Sequence, residues 1–125
     1  MTVSPIAVEV IAIDAGAVVV VTGEVDMLTA DRLRDALCAA VGDHHLVVAD
    51  LSAVDFLSSS GLTALALAHR AAVAAGHVMC VVATDRVVLR PIEITGLADR
   101  IGVYASVPDA VAGAGAAGTP SVGGG

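Results

Sequence analysis

The chain has few aromatic residues and no long uncharged apolar run. Aromatics make up only 2% of its 125 residues, with one Phe, one Tyr and no Trp, whereas hydrophobic residues as a whole reach 57%. A core must therefore be built from Val, Ala, Leu and Ile, which suits thin layers in close contact. Charged residues or His interrupt every candidate for the roughly 20 apolar residues of a membrane-spanning helix. We therefore expect one soluble domain without membrane insertion.

A secretory signal is also lacking at the N-terminus. No basic residue precedes the first apolar run, and Glu9 and Asp14 interrupt that run. A signal peptide needs a basic segment followed by an unbroken apolar one. We therefore expect the protein to be cytoplasmic.

Basic residues are scarce, with 6 Lys and Arg against 13 Asp and Glu, so that the net charge is -7. Such a balance opposes contact with the phosphates of nucleic acid or with anionic lipid. It excludes direct nucleic-acid binding as the leading function and favours partners that are basic, or at least not acidic.

The patterns that hold metals and cofactors are missing as well. Cys38 and Cys80 lie in apolar segments without paired spacing, so we interpret both as small core residues. Four histidines have no Cys or carboxylate at ligand spacing and are interpreted as surface or loop residues: His44, His45, His69 and His77. The glycines of 113–125 precede neither a helix nor a Lys-Ser/Thr pair, which excludes a phosphate-binding loop. No metal and no cofactor are predicted.

The apolar periodicity predicts five strands and four helices. The strands are predicted at residues 6–13, 17–22, 46–51, 78–83 and 101–104. The first helix is predicted between an N-cap at Thr29 and a stop at Gly42, and the second over 60–75. The third follows a cap at Thr84 or Asp85, with Pro91 causing a kink or an early turn, and the fourth covers 108–112.

The order of these elements predicts an α/β fold. Turn residues at 14–16 favour an antiparallel hairpin of the first two strands, and each later helix links two parallel strands. Because such crossovers share one handedness, we expect a mixed sheet of about five strands with helices mainly on one face. Residues 1–112 then form the domain. Residues 113–125 have almost nothing to bury and are predicted to be a disordered Gly/Ala-rich tail.

A run of three serines, Ser58, Ser59 and Ser60, lies where a buried strand ends and a helix begins, followed by Gly61 and Leu62. Open α/β sheets place their sites at such strand ends. The helix N-terminus favours an anion, so a phosphoryl group there would be tolerated. The alternative interpretation is structural, with one serine capping the helix and the others filling a tight turn.

Two acidic residues precede the first helix. Glu24 and Asp26 are separated by one residue and share one side of an extended segment. They can cap the helix, stabilised by its dipole, or present charge to a partner. The spacing does not distinguish these roles.

An enzymatic interpretation of the serine run is a small serine hydrolase. The nucleophile elbow of such enzymes reads Gly-x-Ser-x-Gly, and the glycine two residues before the serine is absent here. None of the four histidines is well placed to pair with the serine. We therefore expect no enzyme activity and no catalytic residue.

Three ordered motifs carry a resemblance to a known family: Gly-Glu-Val-Asp at 23–26, Ser-Ser-Gly-Leu at 59–62 and Thr-Gly-Leu at 95–97. Together they resemble the STAS domain of anti-sigma factor antagonists, over about residues 6–112. The resemblance implies the STAS fold and a partner-switching role. In that role the protein binds an anti-sigma factor of the serine kinase type and releases a sigma factor; phosphorylation by the kinase blocks binding, and a phosphatase restores it.

Carried over by position, the resemblance implies that Ser59 is the phosphorylated residue, with Ser58 and Ser60 as alternatives. It implies a partner-binding surface with these members: Glu24, Asp26, Ser58, Ser59, Ser60, Gly61 and Leu62. The family commonly has Asp where this chain has Ser58. That replacement removes an acidic group beside Ser59 and adds a competing hydroxyl.

Two further expectations remain open at this point. A STAS adaptor subunit of a transporter or signalling complex would use the same fold without being phosphorylated. The valine-rich opening strands can also leave a sheet edge that pairs with a second copy, giving a homodimer.

Overall fold

The computed structural model describes residues 6–117 as a five-stranded sheet between two helical layers of unequal size. The strands are β1 (Ile6–Ile13), β2 (Gly16–Val25), β3 (Leu46–Leu57), β4 (Val78–Val82) and β5 (Gly102–Tyr104). The helices are α1 (Ala30–Asp43), α2 (Ser59–Ala75), α3 (Arg86–Ile94) and α4 (Val107–Ala117), with one 3₁₀ turn at Leu97–Asp99.

The sheet has the strand order β1-β2-β3-β4-β5 and is mixed. β1 and β2 form the predicted antiparallel hairpin, with Ile13 opposite Gly16, and the other three pairings are parallel. Each parallel pairing is bridged by a helix, so α1, α2 and α3 are the crossover connections. The carboxyl ends of β2 and β3 therefore lie at the same end of the sheet, where α1 and α2 begin.

Alternation along the strands separates two apolar clusters. The larger cluster joins one sheet face to α1, α2 and α3, and includes Val19, Leu33 and Leu65. The smaller joins the opposite face to α4 through Val48 and Ala110. The prediction of a mixed sheet with helices mainly on one face is confirmed.

Two element boundaries differ from the sequence prediction. β3 continues six residues beyond the predicted end at residue 51, because β2 stays paired with it as far as Val25 and Leu57. The pairing contains two register shifts. As a result, the buried residues in this half of β3 are three apart, at Leu51, Val54 and Leu57. The expected alternation is therefore absent in that half of the strand.

The predicted start of the tail at residue 113 is corrected, since α4 runs from Val107 to Ala117. Ala110 and Ala114 are both buried one helical turn apart, so packing against the sheet continues past the predicted boundary. The remainder of the predicted tail, 118–125, lies outside the described residues.

The two helices with predicted breakers also extend further. α1 passes Gly42 and ends at Asp43. α3 continues three residues beyond Pro91, so the predicted early turn is wrong there. Its length is explained by Val88 and Ile92, which are buried one turn apart, and by the Asp85 side chain, which accepts from the Val87 N–H at 2.9 Å.

No helix within 6–117 is long and apolar enough to cross a membrane.

Candidate partner-binding site

The three sequence motifs meet at one end of the sheet. The N–H of Ser58 donates to the carbonyl of Val25 at 2.9 Å, which ties the start of α2 to the end of β2. Thr95, Gly96 and Leu97 line a groove together with Ser59 and Leu62. Segments more than thirty residues apart in sequence therefore form one surface.

Within the serine run, each hydroxyl has a different environment. Ser58 is the N-cap of α2, and its Oγ accepts from the Gly61 N–H at 3.3 Å. Ser59 is the first helical residue and is exposed, whereas Ser58 and Ser60 are half-buried. The capping interpretation thus applies to Ser58. The Ser59 hydroxyl has no hydrogen-bond partner among residues 6–117.

Gly61 allows α2 to begin directly against the sheet. A Cβ at this position would lie 2.6 Å from Cδ1 of Leu57 and 2.8 Å from Cγ1 of Val25. Both distances are too short for carbon atoms, so any side chain would displace the helix start. The position of Ser59 relative to the ends of β2 and β3 therefore depends on this glycine.

The groove beside Ser59 has a volume of about 600 Å³. One wall is the α2 stripe of Ser59, Leu62, Thr63 and Ala66, and the other is the turn between α3 and the 3₁₀ turn, with Arg100 at its end. Gly96 shapes that turn with a φ of +79°, a left-handed conformation that glycine adopts without strain. The Thr-Gly-Leu motif thus forms the wall facing the serine.

The link between β2 and α1 is held by its own side chains. Asp26 Oδ1 accepts from the N–H groups of Leu28 at 2.9 Å and Thr29 at 3.1 Å. The buried hydroxyl of Thr29 accepts from the Asp26 N–H at 2.9 Å and lies 3.0 Å from the carbonyl oxygen of Glu24, to which it can donate. Asp26 therefore fixes the turn that leads into α1. Thr29, the predicted N-cap, does precede the helix at Ala30, but its side chain makes no capping hydrogen bond.

Glu24 has a different position from Asp26. It is exposed and paired in register with Phe56. Its neighbour Val25 is buried in the cluster with α1, α2 and α3, so alternation directs Glu24 to the opposite face of the sheet. The structure thus brings Asp26 and the serines together on the helical side and leaves Glu24 at the same end but on the other face.

Two apolar residues in this region were not predicted from the sequence. Met27 and Leu28 are 76% and 85% exposed, the highest values among the large hydrophobic residues described. Met27 lines a second groove of about 210 Å³, between α1 and α2, together with Ser60 and Leu67. No periodicity signals such residues, because two apolar residues in a short loop match neither a helix nor a strand pattern.

The histidines lie away from the serines. His45 and His77 pack edge to face at 4.8 Å, and Nδ1 of His77 is 2.6 Å from the Val41 carbonyl oxygen. This pair is at the amino end of β3, opposite the end that carries Ser59, and the length of α2, about 25 Å, separates the two. His69 lies ten residues further along α2 than Ser59, or about 15 Å.

His69 is half-buried on α2 and so is less exposed than the surface interpretation expected. Nδ1 of His69 is buried without a partner in the described part of the chain. Burial lowers the pKa of this imidazole, and the nearby Arg100 lowers it further. His77 is likewise half-buried, contrary to the prediction of a loop residue in solvent.

Cys80 is buried, as predicted, and burial raises the pKa of its thiol to about 11. Cys38 is half-buried and packs against the main core. Both thiols are free. Over residues 6–117, no three His, Cys, Asp or Glu side chains are grouped so that they could hold a metal ion.

An exposed hydroxyl stands at a helix N-terminus, where the dipole stabilises an added negative charge. No histidine lies near enough to deprotonate it within the described residues. The Ser59 hydroxyl is therefore accessible from solvent.

Comparison with known proteins gives consistent relatives. Residues 7–110 match the STAS domain family. The anti-sigma-F factor antagonist RsfB of Mycobacterium tuberculosis is 38% identical over 98 residues, which cover 78% of this chain and 80% of the relative. The crystal structure of an anti-sigma factor antagonist from Mycobacterium paratuberculosis superposes with a TM-score of 0.77 at 36% identity, covering 87% of this chain and 93% of that one.

A more distant structure shares the fold. SpoIIAA in its unphosphorylated form superposes with a TM-score of 0.69 at 17% identity, over 86% of this chain and 97% of that one. The phosphorylated form of Bacillus SpoIIAA gives a TM-score of 0.66 at 16% identity, over 85% and 97% of the two chains.

Proposed function

The chain belongs to the STAS domain family, and from this premise we propose that it is an anti-sigma factor antagonist switched by phosphorylation of Ser59. In the active form it binds an anti-sigma factor of the serine kinase type and so releases a sigma factor. The observation that carries the proposal is the meeting of the three motifs around an exposed Ser59, beside a groove of about 600 Å³.

Several features favour Ser59 over its neighbours as the phosphorylated residue. Its hydroxyl is exposed, while that of Ser58 caps α2 through the Gly61 N–H. Ser60 is half-buried and faces the second groove, beside Met27. Ser58 thus performs the capping that an Asp also performs well, so the replacement of the family's Asp leaves the helix start intact.

The switch has a simple physical basis. A phosphoryl group adds a charge of roughly -1.5 to -2 to a surface that loses water on docking. A penalty of about 3 to 4 kcal/mol would weaken binding several-hundred-fold. The free chain tolerates the same group, because the N-terminus of α2 stabilises negative charge. Phosphorylation should therefore weaken binding strongly without unfolding the domain.

The other members of the system follow from this role. The kinase supplies ATP and performs the transfer, a phosphatase removes the phosphoryl group, and this chain contributes no catalytic residue and no cofactor. The exchange takes place in the cytoplasm, where sigma factors act. A second copy can pair along β1, the outer strand of the sheet, a proposal tested below.

The test uses the purified anti-sigma factor kinase of the same organism with wild type, Ser59→Ala, Ser59→Asp and Ser60→Ala. We expect wild type and Ser60→Ala to incorporate phosphate and Ser59→Ala to incorporate none. By calorimetry, Ser59→Ala should bind like wild type and Ser59→Asp should bind much more weakly. Equal incorporation into wild type and Ser59→Ala would contradict the site.

Equal binding by all four variants, with no phosphate incorporated into any, would instead support the unphosphorylated adaptor. Covalent labelling of Ser59 by a serine-directed hydrolase probe would support the hydrolase.

A further inference from the structure

The loop that carries Met27 and Leu28 is held by hydrogen bonds within the chain. Its four residues, 26–29, join β2 to α1, and the Asp26 carboxylate accepts from two of their N–H groups. The Asp26 carbonyl accepts from the N–H groups of Thr29 at 3.2 Å and Ala30 at 2.9 Å. Thr29 is only 7% exposed and hydrogen-bonds back into the loop. Binding therefore costs little loop-ordering entropy.

This hydrogen-bonded loop presents two large apolar side chains to solvent. Met27 and Leu28 are consecutive and nearly fully exposed, although the chain buries most of its large apolar residues. A single exposed apolar residue needs no explanation. Two adjacent apolar residues, in a loop held by Thr29 and the Asp26 carboxylate, form a preorganised apolar projection.

The projection is continuous with the serine surface. Met27 lines the groove between α1 and α2 with Ser60, Thr63 and Leu67 of α2. Ser59 and Thr63 also line the larger groove on the other side of α2. The two grooves thus share Thr63, and an occupant that covers Ser59 also reaches Met27.

The charges of this second groove are already paired. Arg34 lies 3.4 Å from the carboxylate of Asp31, and both line the groove with Met27. A partner needs no countercharge there, so the chemistry that fits is an apolar cleft with a polar rim.

We infer that Met27 and Leu28 are the apolar anchor of the anti-sigma factor interface, inserted into an apolar cleft of that partner, and that they determine which anti-sigma factor this chain selects. The inference rests on the proposed function and adds to it a residue pair outside the serine motif. Met and Leu offer adaptable apolar surface of the kind that fills a cleft. Selection follows because a partner with a polar or filled surface at this place would leave both side chains unburied.

The experiment compares Met27→Ser and Leu28→Ser with Val73→Ser against the purified anti-sigma factor kinase, by calorimetry. Val73 is the matched control, because it is 61% exposed but lies fourteen residues along α2 from Ser59, about 21 Å away. Each loop variant should raise Kd about 10- to 100-fold, as loss of an interface anchor does, and Val73→Ser should leave it unchanged. Leu28→Met should retain most of the affinity.

The failures of the inference and of the proposed function are distinguishable. If wild type binds the kinase and both loop variants bind equally well, Met27 and Leu28 do not anchor the interface, and the proposed function stands. If wild type does not bind the kinase at all, the proposed function itself fails. Thermal unfolding of each variant identifies misfolding. In that case Met27→Gln and Leu28→Gln, which keep side-chain length, replace the serine variants, and unchanged affinity there would overturn the anchor.

Discussion

Asp26 shows how one residue of a recognised motif can act on its own chain. Its carboxylate accepts hydrogen bonds from the N–H groups of Leu28 and Thr29, and so fixes the loop that presents Met27 and Leu28. Glu24, two residues earlier, is exposed on the other sheet face beside Phe56. The two carboxylates of the Gly-Glu-Val-Asp motif therefore have different roles. Only the first is free to meet a partner directly.

Substitutions can separate the charge of Asp26 from the hydrogen bonds that its carboxylate accepts in the loop. Asp26→Asn keeps an oxygen that accepts both N–H groups, so stability and kinase affinity should change little. Asp26→Ala removes the acceptor of both hydrogen bonds and should lower the free energy of unfolding by about 1 kcal/mol. Because the loop is then less ordered, kinase binding should also be weaker. Urea unfolding and calorimetry measure the two effects. If Asp26→Asn binds as poorly as Asp26→Ala, the charge itself contacts the partner, and the hydrogen bonds within the loop do not account for the loss of affinity.

Among the elements, α2 depends most on a single close contact. Gly61 is the third residue of the helix, and a Cβ there would meet Leu57 and Val25 at distances below 3 Å. Gly61→Ala should therefore lower the free energy of unfolding by about 1 to 3 kcal/mol, the usual cost of overpacking. Urea denaturation measures it.

Gly42→Ala is the matched control for this prediction. Nothing lies within 4 Å of a Cβ at Gly42, near the end of α1, so alanine should stabilise by up to about 1 kcal/mol through helix propensity. Opposite signs for the two glycines are expected. A neutral or stabilising Gly61→Ala would mean that α2 does not start as close to the sheet as described.

Elements with strong local signals were predictable from the sequence, and those shaped by packing were not. The opening hairpin has its turn residues, and α2 has a capping serine at its start and Gly76 at its end. By contrast, the bulges of β3 hide its alternation, and α4 contains the small residues that also mark tails. Only burial of Ala110 and Ala114 against the sheet shows that this segment is helix.

The candidate site was predictable to a similar extent. Residue order identified the serine run and the Thr-Gly-Leu motif, and the structure places both on one groove. Sequence spacing could not assign the cap to Ser58 or reveal the exposure of Met27 and Leu28. Both depend on how the ends of β2 and β3 are placed against α2, which is a property of the packed chain.

For the whole molecule, charge is distributed unevenly among the elements. All six arginines lie in α1, α2, α3 and directly after the 3₁₀ turn, and six acidic residues lie in these elements or at the N-cap of α3. The other seven acidic residues are in the strands, their loops and α4: Glu9, Asp14, Glu24, Asp26, Asp50, Asp55 and Asp109. The net charge of -7 is therefore carried mainly by the strands, their loops and α4, and repulsion opposes the pairing of two copies through the sheet.

This distribution yields a prediction about self-association along β1. β1 is an edge strand of eight residues without proline, and Val10 and Ile11 are 51% and 42% exposed. Such an edge pairs with a second copy unless charge prevents it, and Glu9 in its centre supplies that charge. Because salt shortens the range of repulsion from about 30 Å at 0.01 M to about 3 Å at 1 M, dimer should increase with ionic strength in sedimentation equilibrium.

Variants assign the contact to this edge. Glu9→Gln should form dimer at lower salt than wild type, and Ile11→Lys should remain monomeric, because a charge on the apolar edge adds a desolvation cost. Val87→Lys changes a comparably exposed apolar residue on α3 and should associate like wild type. Dimer that persists in Ile11→Lys would assign the contact to another surface, whereas monomer at every salt concentration, in wild type and Glu9→Gln alike, would contradict self-association along β1.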